Sequence, residues 1–242
     1  MLRGKKIAVT MPAYYAEKTV ERTYRQIPLD IVDHVILVDD ASKDRTYEIA
    51  KSLGIEAYRN EKNRNYGGNV KRCLSLGLES GADIVILLHP DCQYTPQLVI
   101  AMAAMLIDTP YDLCLASRVS GRGALSGGMP VWKYLANLGL TNFMDVCLGC
   151  RHTEYHTGYR AYTRELLEKV PFTTHSDDFI FDNETLVAAM DHGFKTCEVT
   201  CPTVYEEDSS SISFARSVRY GLACVGVSVP YLFRRIGRRM GG

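Results

Sequence analysis

Asp83-Ile84-Val85-Ile86-Leu87-Leu88-His89-Pro90-Asp91-Cys92-Gln93-Tyr94 is the stretch on which the fold turns. A continuous apolar run stops abruptly in a loop braked by Pro90. That loop carries one imidazole, one carboxylate and one amide. Apolar on both faces, the run reads as a buried strand of a parallel sheet. In open α/β sheets, ligands bind just beyond the carboxyl ends of such strands. Asp91 thus stands where a charged ligand or a metal is held. The plainer alternative is a strand that ends in a turn with a surface Asp.

Similar runs recur on either side. Ile7-Ala8-Val9-Thr10-Met11 reads as a first strand and leads into Pro12-Ala13-Tyr14-Tyr15. His34-Val35-Ile36-Leu37-Val38 is a second and ends in Asp39-Asp40-Ala41-Ser42. A short strand is expected at 55–58 and a further one at 113–116, ending in Ser117-Arg118. Helices are expected between them, at 17–27, 44–53 and 68–79, and from Thr95-Pro96, where Pro suits the first helical position. This alternation predicts an α/β fold: a doubly wound, mostly parallel central sheet with helices on both faces.

The pattern changes after Arg118. Residues 119–129 are rich in Gly and read as a flexible loop. A helix is expected over 130–148. It is followed by the polar and aromatic run Thr153-Glu154-Tyr155-His156-Thr157-Gly158-Tyr159-Arg160. A helix over 178–191, a strand over 195–200 and a polar loop at 206–211 come next. The end, 213–236, reads as an amphipathic helix or a helix pair broken at Pro230. This gives one domain over 1–212, in halves of about 1–118 and 119–212, and a helical tail over 213–242.

The 242 residues suffice for one large domain, and the formal net charge of +0 argues against a bulk nucleic-acid binder. Of eight cysteines, Cys147/Cys150 and Cys197/Cys201 have spacings that zinc half-sites use. Cys73, Cys114 and Cys224 lie in apolar runs, where Cys acts as a small hydrophobe. Reduced thiols in a cytoplasmic protein are therefore expected. The start runs straight into a strand without a leader pattern. No stretch approaches the about 20 apolar residues that a spanning helix needs.

Three strand tips are acidic or polar: Asp39/Asp40, Asp91/Gln93 and Ser117/Arg118. Shared along one sheet edge, one carboxylate can hold a ribose or base, another a divalent cation, and an Arg a phosphate. The glycines of Tyr66-Gly67-Gly68-Asn69 permit close approach of a ligand at a helix start. Neither a P-loop nor a dinucleotide-binding Gly-x-Gly-x-x-Gly is present, which counts against an ATPase or a dehydrogenase.

Taken in order, Pro12-Ala13-Tyr14, Val38-Asp39-Asp40-Ala41-Ser42, Asn65-Tyr66-Gly67-Gly68-Asn69, Asp91-Cys92-Gln93-Tyr94, Ser117-Arg118 and Glu154 to Arg160 resemble the family 2 glycosyltransferases of GT-A fold. In organisation they are nearest the polyprenol-phosphate branch, which resembles dolichol-phosphate mannose synthase. The resemblance covers residues 7–205. It implies a UDP- or GDP-linked sugar donor, a Mn²⁺ or Mg²⁺ ion, and inversion at the anomeric carbon. Pro12, Tyr14 and Asp40 would line the base and ribose pocket, supported by Asp39 and Ser42. Gly67, Asn69, Arg118 and Arg160 would also meet the donor. Asp91 would carry the metal, with Gln93 and His89 beside it. Glu154 is the first candidate for a general base or for a substrate contact, and Asp178, Asp182 and Glu184 are next. Asp177 and Asp178 could equally be helix caps, and His156 could be either structural or an acceptor contact.

Two positions depart from the family. His89 stands where an Asp is usual, and imidazole suits Mn²⁺ better than Mg²⁺. The run Glu206-Glu207-Asp208 lies where relatives tend to carry a basic residue for the acceptor phosphate. The expected acceptor is a polyprenyl phosphate at the cytoplasmic face of a membrane. A saccharide hydroxyl in surface-glycan assembly, or a catalytically silent nucleotide-sugar-binding protein, are the alternatives. For residues 221–239, an apolar run beside Arg clusters, two expectations stand. One is peripheral contact with an anionic membrane; the other is packing on the domain or on a second subunit of a homodimer.

Overall fold

The computed structural model describes residues 1–120, 123–203 and 214–240. Its strands are β1 (Ile7–Ala13), β2 (His34–Asp39), β3 (Glu56–Arg59), β4 (Ile84–Leu87), β5 (Leu113–Ser117), β6 (Arg160–Thr163) and β7 (Thr196–Thr200). They form one sheet in the order β3-β2-β1-β4-β6-β5-β7. All neighbours are parallel except β6, which runs antiparallel to both β4 and β5. The helices are α1 (Val20–Tyr24), α2 (Thr46–Ser52), α3 (Asn65–Glu79), α4 (Val99–Asp108), α5 (Gly123–Ser126), α6 (Val131–Leu148), α7 (Arg164–Lys169), α8 (Phe181–Asp191) and α9 (Phe214–Met240).

Strand alternation splits the core in two. Ile7, Val9, Met11, Ile84 and Ile86 face one side and pack with Val99 and Met102 of α4. Ala8, Ile36, Val38, Val85 and Leu87 face the other and meet Val70 and Leu74 of α3 and Phe181 of α8. All four residues of β4 are buried, as a strand covered on both faces requires. Each such Ile or Leu contributes about 1.5–3 kcal/mol relative to exposure.

The expected mostly parallel, doubly wound sheet is present, with four differences in detail. First, β6 and α7 lie just past the polar, aromatic run 153–160, where no element is expected from sequence. A four-residue strand beginning with Arg gives no periodic signal, and Arg160 is tolerated inside because each of its three guanidinium nitrogens donates to a backbone carbonyl. Second, α3 starts at Asn65, so Gly67 and Gly68 fall in its first turn. Third, α5 occupies part of the stretch read as a loop. Fourth, α9 runs unbroken through Pro230; a single Pro removes one backbone bond without ending a helix whose face is packed. The expected polar loop at 206–211 and the tail boundary at 212/213 lie outside the described residues.

The tail packs on the domain. Cys224, Ser228 and Tyr231 are buried. Arg235 donates to the carbonyls of Val146 (3.1 Å) and Cys147 (3.0 Å), at the C-terminal end of α6 where a cation is favourable. Arg234 and Arg238 pair with Asp191 at 2.6 and 3.1 Å. No helix among the described residues is long and apolar enough to cross a membrane.

Candidate active site

A cleft of about 1080 Å³ opens where β1, β2 and β4 end. Tyr15, Ala41 and Cys92, in the loops around it, and Asn65, at the start of α3, all have left-handed backbones, with φ of 54°, 59°, 58° and 62°. Non-glycine residues pay about 1–2 kcal/mol for that conformation. Such strain is typical of loops shaped for a ligand rather than for stability.

Pro12, Tyr14, Asp40 and Asn69 line the cleft together, as does Asp91. Asp40 accepts from Asn60 Nδ2 (2.7 Å) and from the Arg64 N–H (2.8 Å). Burial nevertheless raises its carboxyl above the ordinary value. Asn69 donates to the Val38 carbonyl (2.9 Å), which fixes the amide at the foot of α3. Tyr14 is 55% exposed at the rim and meets Tyr15 edge-on. Asp39 and Ser42 stand behind this wall. Asp39 is fully buried and takes Arg59 Nε at 2.7 Å; Ser42 Oγ accepts the Tyr15 N–H at 2.9 Å.

Asp91 is half-buried, and its Oδ1 accepts the Gln93 N–H at 3.1 Å. Burial raises its carboxyl above the usual range, against the pull of His89 and Arg118. A cation or a positive ligand would relieve that cost. His89 also lines the cleft. Its Nε2 lies 3.3 Å from the Tyr66 hydroxyl, and the two rings stack 5.6 Å apart. The Tyr66 hydroxyl donates to Asp182 Oδ2 at 2.7 Å. Gly158 makes room for the imidazole: a Cβ there would come within 2.5 Å of His89 Nε2. No group of three or more His, Cys, Asp or Glu side chains suited to a metal occurs among the described residues. Asp91 alone, with His89 near it, still fits Mg²⁺ or Mn²⁺, because these ions commonly bind through one carboxylate, substrate phosphates and water.

Several expected contacts are corrected. Gln93 is buried and lines a separate cavity of about 260 Å³ with Arg22 and Cys92, not the cleft of Asp91. Arg118 does not line the cleft. Its Nε donates to Glu154 Oε1 at 2.9 Å, its backbone N–H to Glu154 Oε2 at 2.7 Å, and its NH2 pairs with the same carboxylate and with the His156 carbonyl. Glu154 is fully buried and also accepts from Asn137 (2.8 Å). Burial would raise its carboxyl, but the Arg118 charge and hydrogen bonds hold it below the ordinary value. A carboxylate so engaged and so acidic is a poor general base.

Arg160 is fully buried too. It donates to the carbonyls of Thr157, Asp182 and Tyr155 at 2.7–2.8 Å, so it braces the loop instead of meeting a phosphate. Gly67 lets α3 abut the backbone of Ser176 to Asp178, and its N–H donates to the Asp177 carbonyl (2.8 Å). Glu184 accepts the Ser176 N–H at 2.6 Å. Asp177 and Asp178, by contrast, both line the cleft; Asp177 takes Lys71 (2.8 Å), and Asp178 the Phe179 N–H (2.8 Å). His156 shares a hydrogen bond with the Tyr220 hydroxyl (3.0 Å), and burial pushes its imidazole down to about 4. The run Glu206-Glu207-Asp208 lies outside the described residues.

Arg216, Arg219, Tyr220 and Ala223 of α9 also line the cleft. Their spacing of three, four and seven is present in the sequence, within a segment that reads there only as an amphipathic helix or helix pair.

The sheet order, the switch of connections at its centre and the cleft at the strand ends define a GT-A-like α/β fold. The chain belongs to glycosyl transferase family 2, whose model matches residues 8–171. It is 31% identical over 206 residues to the uncharacterized protein MJ1222 of Methanocaldococcus jannaschii, covering 85% of this chain and 84% of that one. It is 27% identical over 225 residues to the UDP-N-acetylglucosamine–dolichyl-phosphate N-acetylglucosaminyltransferase of Methanococcus voltae, covering 86% and 89%. Among solved structures, glucosyl-3-phosphoglycerate synthase from Mycobacterium tuberculosis, in complex with Mn²⁺, UDP and phosphoglyceric acid, superposes with a TM-score of 0.72. The two share 22% identity over 95% of this chain and 79% of that one.

Proposed function

We propose that this chain is an inverting, metal-dependent glycosyltransferase that moves a sugar from a UDP- or GDP-linked donor to a polyprenyl phosphate. One observation carries the reading. Asp40 and Asp91 share one cleft, while Glu154, the first candidate for a base, is buried against Arg118. A saccharide hydroxyl needs such a base; a phosphate monoester, largely dianionic near neutral pH, does not. The Methanococcus voltae relative, a dolichyl-phosphate N-acetylglucosaminyltransferase by name, supports the same choice.

In this reading Tyr14 stacks on the base, and Asp40 and Asn69 take its polar edge or the ribose. Asp91 would hold a Mg²⁺ or Mn²⁺ ion. When bound, the ion supplies charge that stabilises the departing nucleoside diphosphate. An acceptor phosphate oxygen forms the new bond to the anomeric carbon as the bond to the diphosphate oxygen breaks, with the electron pair leaving on the diphosphate. His89, clamped by Tyr66 and seated over Gly158, fixes the wall beside Asp91.

The outer face of α9 fits work at a membrane surface. Val218, Leu222, Val225, Phe233, Ile236 and Met240 are exposed and recur every three or four residues or a multiple of that spacing. Residues 214–240 include six Arg and no acidic residue.

The test is incubation with a panel of UDP- and GDP-sugars, Mn²⁺ and a polyprenyl phosphate, with lipid-linked sugar as the readout. Asp91→Asn is expected to lower transfer at least about 100-fold. Undiminished transfer by Asp91→Asn, or product only on sugar hydroxyls, would sink the reading.

A further inference from the structure

We propose that Arg216 and Arg219 of α9 form the seat for the acceptor's phosphomonoester. This rests on the function proposed above and adds to it the residues that grip the acceptor. Arg216, Arg219, Tyr220 and Ala223 sit at i, i+3, i+4 and i+7, one face of a helix, and that face is a wall of the cleft holding Asp40 and Asp91. The wall is held in place. The Tyr220 hydroxyl accepts from Asn183 Nδ2 at 2.6 Å and shares a hydrogen bond with His156 Nδ1 at 3.0 Å, while Cys224 is buried one turn on. The two guanidinium groups therefore stay at the cleft although both residues are exposed.

Charge argues for the ligand. The loops after β1, β2 and β4 bring Glu17, Asp40, Asp44 and Asp91 to the cleft. Neither Arg216 nor Arg219 makes an ion pair with any described residue, whereas Arg234 and Arg238 on the same helix both reach Asp191. Two guanidiniums within one turn, neither paired with a described carboxylate, repel each other, and a dianionic phosphate relieves that repulsion with paired, charge-assisted hydrogen bonds. Arg118, the residue expected to meet phosphate, is occupied by Glu154. A phosphate between the α9 pair and Asp91 would stand beside a donor's anomeric carbon without competing for the donor's cation.

Calorimetric titration tests the seat. Geranyl phosphate, geraniol and 3-phosphoglycerate are titrated into the full chain, with and without Mn²⁺ and UDP or GDP. The wild type is compared with Arg216→Gln/Arg219→Gln and with Arg234→Gln/Arg238→Gln, which removes the same charge away from the cleft. Thermal melts confirm that both variants fold, since Gln is as good a helix former as Arg. The expected result is phosphate-dependent binding that weakens about tenfold or more in the first variant and stays within about twofold in the second. Nucleotide affinity should be unchanged in both. Whether geranyl phosphate or 3-phosphoglycerate binds tells a lipid acceptor from a small soluble one. The proposal falls if the wild type binds neither phosphate, if both variants weaken alike, or if the first loses nucleotide instead. If neither nucleotide binds the wild type, the function proposed above falls, and the arms without nucleotide still judge the arginine pair.

Discussion

At the scale of single residues, the Arg118–Glu154 pair shows how a site motif can be spent on structure. Glu154 is fully buried and Arg118 largely so, and removing Arg118 would leave the Glu154 charge without solvent or counter-ion, at a cost of about 3–5 kcal/mol. The pH dependence has a definite sign. The folded carboxyl lies below its ordinary value of 4.5. Its stabilisation is therefore complete above pH 4.5 and is lost as pH falls through the lower, folded value. Glu154→Gln should flatten the stability curve below pH 4.5 while lowering the plateau above it; urea melts at several pH values check this. At Gly158, an added methyl must push on the His89 ring. Gly158→Ala should cost about 1–3 kcal/mol in thermal stability and weaken turnover by displacing His89. A melt within a degree of wild type would refute it. Asp40 and Asp91 were legible in sequence because strand ends in such sheets collect ligands. The partners of Arg118 and Arg160 were not, since a guanidinium serves a phosphate, a carboxylate or three carbonyls equally well. Only the fold decides which of these arrives.

At the scale of elements, α9 has three faces with three fates. Cys224 and Tyr231 turn inward, Arg216 and Arg219 reach the cleft, and Leu222 and Phe233 look outward. Sequence periodicity revealed an amphipathic helix but could not count its faces, because Tyr, Cys and Val suit core and bilayer alike. If the outward stripe meets lipid, Leu222→Ser with Phe233→Ser should abolish co-sedimentation with anionic vesicles and leave thermal stability nearly unchanged. Raising salt should weaken binding of the intact chain. A concentration-dependent dimer lost in the same variant, without any vesicle binding, would assign the stripe to a second copy instead. Residues 160–169 escaped prediction for a different reason. β6 is too short to display alternation, and its burial depends on β4 and β5 on either side.

On the scale of the whole molecule, the expected division into a nucleotide half and an acceptor half does not match the way the sheet is built. β6 and β7 come from the second half, yet β6 lies between β4 and β5 of the first. A fragment ending at residue 118 would therefore leave the β4 and β5 edges unpaired. It should aggregate or stay partly unfolded, with circular dichroism and gel filtration as the check. Truncation after residue 213 should likewise destabilise the chain, because it strips Tyr231 and Cys224 from the core. The general fold was readable since long apolar runs alternate with helical patterns; the insertion was not, because strand order is a property of distant segments.

That insertion has a bearing on biosynthesis. As the polypeptide leaves the ribosome, β1 to β4 can assemble early, but the flank of β4 must wait for residues 160–163 to emerge. Until then the nascent chain exposes a sticky, hydrophobic edge along β4, and that interval is when a chaperone has most to protect.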